Sequence, residues 1–214
     1  MSVRQCIAIT LLWLAAAAPA SARTLYFRMD PVHSQVLVSV DHDGYSHPVG
    51  RMKIKAGWIG FDEDDWSTAK VVADVDSASV DFGDTDWNDA VTGKRFLDAK
   101  EYPLAHFEST AVQKSDAQHG ILHGTLSLRG ITHEVAVPFT FNRVGATIFA
   151  GMQTLAGFSA QLPLDRTQFG MTAFPKAVGT RVEVRLEVEA ILDQDAQKQY
   201  EATMRKDADH AAQH

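Results

Sequence analysis

Apolar and polar residues alternate along most of the chain. Val36, Val38 and Val40 alternate with Leu37, Ser39 and Asp41. Met52, Ile54, Ala56 and Trp58 alternate with Lys53, Lys55 and Gly57, and Val71, Ala73 and Val75 with Lys70, Val72 and Asp74. The same period returns at Phe107, Ser109 and Ala111, at Leu126 and Leu128, at Val135, Val137, Phe139 and Phe141, and at Phe158, Ala160 and Leu162. It is cleanest from Arg181 to Leu192, where Val182, Val184, Leu186, Val188 and Ala190 oppose Arg181, Glu183, Arg185, Glu187 and Glu189. Successive strand side chains point to opposite faces, so each set predicts a strand with one buried and one wet face. About eight such strands indicate an antiparallel sheet, because the strands of a doubly wound parallel sheet are buried on both faces. Turn residues separate them at Asp43-Gly44, Ser115-Asp116, Gly120, Arg129-Gly130 and Gly145. Long open edges invite aggregation, and closure removes them. The expected fold is all-β, a closed antiparallel barrel.

The stretch from Ala78 to Pro103 breaks the pattern. Thr85-Asp86 can cap a helix reaching about Phe96, with Asp86 and Asp89 favourably placed near its N-terminus. A further short turn, Asp98 to Tyr102, stops before Pro103. This is the expected helical insertion, near residues 85–102, packed across a barrel end with Trp87, Val91, Phe96 and Leu97 facing inward.

The ends differ from the body. Arg4, an apolar run from Ile7 to Ala18 and the small-x-small triplet Ala20-Ser21-Ala22 read as a signal peptide over residues 1–22, cleaved on export. The run is shorter than the roughly 20 residues a transmembrane anchor needs. Cys6 falls inside it, so the mature chain has no thiol, no disulfide and no cysteine metal site. Cleavage of the 214-residue chain leaves 192 residues, enough for one domain with a substantial core. It also removes Arg4, taking the formal charge from −7 to −8. Such an acidic chain argues against nucleic acid or anionic lipid surfaces as partners. Residues 23–192 form the expected domain. Residues 193–214 are polar and alanine-rich, and are expected to form a helical or disordered, loosely held tail.

"DPVHSQVLVSVDHDGYSHPVGRM" and "FLDAKEYPLAHFEST" resemble two motifs of the YceI family, the first its opening and the second its aromatic, Leu-Asp, Tyr-Pro and Phe-x-Ser-Thr signature. "LHGTLSLRGITHEVAVPF", "AGFSAQLPLDRTQFGM" and "VGTRVEVRLEVEAI" follow in the family's order, so the resemblance runs from about Asp30 to Leu192. It implies a lipocalin-like barrel in the periplasm that binds a polyisoprenoid or similar long amphipathic chain, with no established catalytic residues. The sequence departs from the family in places. Val38 stands where Phe is frequent, and Asn88-Asp89-Ala90-Val91-Thr92 stands where an Arg-Asp-x-His-Leu run is usual.

An eight-stranded barrel is just wide enough to be filled by side chains or to hold one small ligand. Many of the inward residues are modest: Val36, Val38, Val40, Ala56, Val71, Ala73, Val75, Ala111, Val135, Val137 and Ala160. Small residues leave room that Phe107, Phe139, Phe158 and Phe169 can line, with Trp58 or Trp87 near an end. Phe96, Leu97, Tyr102 and Phe107 then belong to the mouth of a pocket; the alternative is that they only close a packed core. The candidate ligand-binding residues are Val38, Val40, His42, Trp58, Trp87, Phe96, Phe107, Phe139, Phe158, Arg166 and Phe169. Arg166 either meets a polar head group or pairs with Asp165 or a neighbouring strand. His33 and His42 are expected to orient the first strand.

Other chemistry finds little support. His33, His42 and His47 are close in sequence, and His119 and His123 flank a turn, but no carboxylate spacing and no H-E-x-x-H completes a metal site. Ser34 and Ser159 lack a nucleophile elbow. Asp98, Glu101 and Glu108 near turns are expected to be solvated. The sequence therefore predicts a non-enzymatic, exported binding protein for a long-chain apolar lipid, an isoprenoid or quinone, with no other cofactor and no membrane span. A second copy of the chain in a homodimer remains open as a partner. The rival readings are a filled-barrel interaction module in envelope stress and an enzyme acting on an isoprenoid lipid.

Overall fold

A computed structural model describes residues 23–211. The expected signal peptide, with Cys6, lies outside the described residues, as does His214. The strands are β1 (Leu25–Met29), β2 (Gln35–His42), β3 (Val49–Phe61), β4 (Lys70–Asp81), β5 (Leu104–Lys114), β6 (His119–Leu128), β7 (Ile131–Ala146), β8 (Thr154–Asp165) and β9 (Val178–Leu192). All pairings are antiparallel, and β2 to β9 close into an eight-strand barrel. The short β1 shares the slot of β2. It pairs Phe27 with Ile59 of β3 and Leu192 of β9, while β2 pairs Val38 with Gly50 and Val184 of the same two strands. Pro31 has no N–H to give the ladder, so the slot is interrupted there. The break is stitched by side chains. The Asp30 carboxylate accepts from the Val32 N–H at 2.8 Å and lies 2.7 Å from Nδ1 of His33. The Ser34 hydroxyl donates to the Glu189 carbonyl at 3.0 Å. His33 thus acts at the strand joint, as expected of it.

The two barrel ends are built differently. Connections β2–β3, β4–β5, β6–β7 and β8–β9 gather at one end, and β3–β4, β5–β6 and β7–β8 at the other. The β4–β5 connection carries helix α1 (Thr85–Thr92). Its cap is Asp84, whose Oδ1 accepts from the Trp87 N–H at 3.0 Å, not Thr85-Asp86 as expected. The helix stops at Gly93, which is extended, rather than at Phe96. The β6–β7 hairpin turns on Arg129 and Gly130 at φ 52° and 73°. Two left-handed residues match the right-handed twist of the strands they join. Gly120 and Gly145, expected in turns, lie within β6 and β7.

β-Bulges revise part of the alternation. Ile54 opposes Val75 but Ala56 opposes Asp74, so β3 carries one extra residue, Lys55. Inward and outward exchange beyond it. Gly57, Ile59 and Phe61 face the interior, and Ala56 and Trp58, expected inside, face out. A side chain at Gly57 would meet Met29 Sδ at 2.6 Å and the Val72 carbonyl at 2.8 Å, so the bulge also needs that glycine. The same device in β5, where Ser109 opposes Gly124 and Ala111 opposes His123, turns Ala111 outward and Val112 inward.

The tail is helix α2 (Ala196–Ala211), docked on the outer wall rather than loose. Ala196 and Tyr200 pack against Tyr26, Trp58 and Val72. Beneath them lies Asp74, a carboxylate only 1% exposed. It accepts from the Tyr200 hydroxyl at 2.7 Å and faces Nδ1 of His106 at 2.8 Å. That hydrogen bond holds the His106 imidazole above its ordinary pKa, against the opposing effect of burial. A histidine raised by folding adds stability that is fully present below its unfolded value, 6.5, and is lost as pH rises through the folded value. Urea denaturation should therefore show the stability advantage of the wild type over His106→Gln to be larger at about pH 6 than at about pH 9. An advantage that does not change with pH would mean the imidazolium has no part in holding Asp74.

Candidate functional site

The inward faces of β2 to β9 enclose a cavity of about 540 Å³. Its wall is aliphatic and aromatic apart from Ser39, Ser159, His42 and Arg166. Both hydroxyls are engaged elsewhere: Ser39 with the His47 carbonyl at 3.4 Å, and Ser159 with the Glu187 carboxylate at 2.6 Å. The space arises because small residues on the inner face leave room between their larger neighbours in the sheet. Ala160 sits opposite Leu186 and Phe139 in the sheet, and Ala73 opposite Gly57 and Phe107.

One end is shut by stacked rings. Phe61 lies 5.5 Å from Trp66, 5.0 Å from Phe141 and 5.3 Å from Phe158. Trp66, from the 3-10 turn Trp66–Thr68, also meets Phe139 at 5.4 Å and is 2% exposed. Lys114 Nζ sits 4.6 Å from the Trp66 ring and seals the outside with a cation over a π face. The other end is the mouth. There Trp87 of α1 stacks 5.2 Å from His42 and 6.2 Å from Phe82. Phe96 lies 6.5 Å from Phe174, a residue half exposed at 51%.

Ten of the eleven candidate residues line this cavity. Val38, Val40, Phe107, Phe139 and Phe158 form its walls, and His42, Trp87, Phe96, Arg166 and Phe169 surround its mouth. Trp58 does not; the Lys55 bulge places it outside, under α2. The sequence reading missed Phe61, Phe82 and Phe174. Phe61 was hidden by the same bulge, whereas Phe174 sits in a connection where no periodicity marks it.

Arg166 resolves differently from its head-group reading. It is 3% exposed, in the 3-10 turn Arg166–Phe169. Its guanidinium donates to the carbonyls of Gly179 at 2.9 Å, Ala173 at 2.8 Å, Val178 at 2.7 Å and Met171. Its carbon lies 5.4 Å from the centre of the Phe96 ring. Burial pushes its pKa down. Asp165, its expected partner, instead caps the turn by accepting from the Thr167 N–H at 2.9 Å and hydroxyl at 2.6 Å, which holds the Asp165 carboxyl below its usual range. Arg166 is thus the strut of the β8–β9 connection. Arg129 adds a second tie, donating to Gly170 and Lys94 carbonyls at 2.8 Å each, and so fastens that connection to the segment after α1.

The histidines pair with single carboxylates, His33 with Asp30, His106 with Asp74 and His119 with Asp116. Among the described residues no three potential ligands come together as a metal site. Nor is any helix among them long and apolar enough to cross a membrane.

A lumen left dry forgoes packing contacts along its whole wall. Water is a poor filler, since each molecule needs polar partners that this wall lacks. The cavity is apolar, capped at one end and open at the other, and its volume lies in the range of small-molecule sites.

The chain belongs to the YceI-like domain family, which it matches over residues 27–190. It is 30% identical over 159 residues to a UPF0312 protein of Pseudomonas putida (strain W619), covering 74% of this chain and 81% of that one. Its structure is similar to that of BcnA from Burkholderia cenocepacia, with TM-score 0.69, 26% identity, and 76% and 99% of the two chains covered. It also shares its fold with a polyisoprenoid binding domain from Saccharophagus degradans, with TM-score 0.57, 13% identity, and 80% and 100% covered.

Replacing Arg166 by Lys keeps the charge but loses the planar fork that spans these carbonyls. Arg166→Lys should lower the free energy of unfolding by about 3 kcal/mol and speed amide exchange in the β8–β9 connection first. Unchanged exchange there would show that the strut is dispensable.

Proposed function

We propose that this protein buries the chain of a long apolar lipid, an isoprenoid, quinone or similar amphiphile, and carries or sequesters it. The observation that supports this most is the 540 Å³ cavity with its apolar wall and single mouth. Burial of each CH₂ contributes about 0.8 kcal/mol, so a chain of roughly fifteen carbons gains about 12 kcal/mol. After the costs of association this leaves micromolar binding or tighter. The capped end dictates that the chain enters tail first. A head group then rests at the mouth beside His42 and Trp87, because the Arg166 donors are already held by carbonyls. Family membership and the described ligand class of the Saccharophagus degradans domain agree with this reading. On the same reading the leader sequence directs the protein to the periplasm, where a water-insoluble chain must cross an aqueous gap between membranes. The apolar wall supports binding as the proposed role, in preference to turnover.

The test is native mass spectrometry of the protein purified from its own compartment, followed by organic extraction. A stoichiometric long-chain lipid is expected. An empty protein that also refuses a panel of isoprenoids and fatty amides would overturn the proposal.

Filling the cavity gives a second check. Ala160→Phe and Val38→Phe add volume where the wall is thin, so uptake should fall at least about tenfold while the urea midpoint holds or rises. Undiminished uptake by both variants would place the ligand elsewhere.

A further inference from the structure

The mouth carries apolar side chains that reach into solvent. Tyr45 of the β2–β3 connection is 87% exposed, Phe174 of the β8–β9 connection 51% and Trp87 of α1 39%. Phe174 is the most distinctive. Its φ is 49°, in the left-handed region that large side chains rarely enter. The Ala177 and Val178 N–H groups donate to its carbonyl at 3.0 and 2.8 Å and fix it there. The ring therefore stands half in the cavity mouth, against Phe96, and half outside. One cation lies over it, and two more are near in the chain. The Arg95 guanidinium lies 5.3 Å from its ring centre, Lys94 precedes Arg95, and Lys176 is two residues further along the chain. Lys94, Arg95 and Lys176 are exposed, and no carboxylate pairs with them among the described residues. These cations come from separate parts of the sequence, which is why the acidic composition concealed them. The same end also carries acidic residues: Asp41 and Asp43 at the end of β2 and in the turn after it, Asp84 at the cap of α1, Asp86 and Asp89 within α1, and Asp98 and Glu101 in the connection that holds Lys94 and Arg95.

An aromatic wedge under Arg95, with the exposed Lys94 and Lys176 near it in the chain, at the opening of an apolar cavity matches an anionic lipid surface. Rings of this kind settle at the headgroup level, and each Lys or Arg adds attraction to anionic lipids. We propose that the mouth docks on an anionic bilayer through Phe174, Lys94, Arg95 and Lys176, so that a chain slides between membrane and cavity without crossing water. This rests on the proposal that the cavity holds a long apolar chain. A second apolar patch, Ile148, Phe149 and Met152 at 74%, 95% and 66% exposure, lies at the capped end. Docking there would leave the mouth in water, so it serves as the control.

The experiment is flotation of the purified protein with vesicles of phosphatidylcholine alone or with phosphatidylglycerol added. Uptake of a polyisoprenol delivered from ethanol is measured in parallel. Binding is expected only with the anionic vesicles, weakened about fivefold for each cation neutralised in Lys94→Gln and Lys176→Gln. Phe174→Asn should weaken it as well, and Asn tolerates the left-handed backbone. Phe149→Asn should bind as the wild type does, and the lysine variants should keep ethanol-delivered uptake. Equal binding by the wild type and the mouth variants, no binding at all, or loss confined to Phe149→Asn overturns the docking surface. Vesicle binding without any uptake from ethanol instead overturns the cavity reading and leaves the surface standing.

Discussion

Closure of the backbone hydrogen-bond ring is the constraint on which the rest of this structure depends. Two open sheets move together until their side chains meet, so small residues between them simply thin the core. A closed ring cannot do this. Its circumference is set by strand number and stagger. Ala73, Ala160 and the valines of β2 therefore leave space that the wall cannot collapse to fill. The ladder carries the stability that a packed interior would otherwise supply, and the interior is released for a ligand. The interrupted first slot is instructive here. Even where Pro31 breaks the ladder, the Asp30 N–H donates to the Glu189 carbonyl and the Ser34 hydroxyl bonds the Glu189 backbone, so the ring stays shut.

Polar side chains divide into two kinds of work. Arg166 and Arg129 spend their donors on carbonyls of the loops around the mouth, and so hold a rigid opening. Asp74 holds the C-terminal helix against the outer wall through Tyr200. Neither role requires charge inside the cavity, which keeps the lumen apolar while its frame is strongly hydrogen-bonded. The helix adds a cover over Trp58 and Val72, an apolar patch that the barrel alone would present to water.

Much of this was legible in the sequence because a barrel with a wet outer face writes its interior as every second residue. The walls formed by Val38, Val40, Phe107, Phe139 and Phe158 followed directly from that period. The misplaced strand residues have one physical source, the β-bulge. A bulge adds one residue, and every later side chain changes face without any change in composition, so Trp58 and Ala111 were assigned inward and Phe61 was overlooked. Loops obey no period at all, so neither Phe174 nor the carbonyl cage around Arg166 could be read from spacing. The docked tail was obscured for a different reason. Its contact uses only Ala196 and Tyr200, too few apolar residues to mark a buried helix face.

The ring-stacked cap around Trp66 turns the barrel into a gauge. A tube open at both ends would let a chain of any length thread through, and each added carbon would be sheltered equally well. For the lipid chain proposed above, the first carbon would halt against Phe61 and Phe158, and depth would be counted from that stop. A short tail would leave the upper lumen unfilled, and a long one would leave its surplus standing in the doorway between Trp87 and Phe174. Selectivity for length would then come from a fixed stop at the far wall, with no residue needing to recognise the chain chemically.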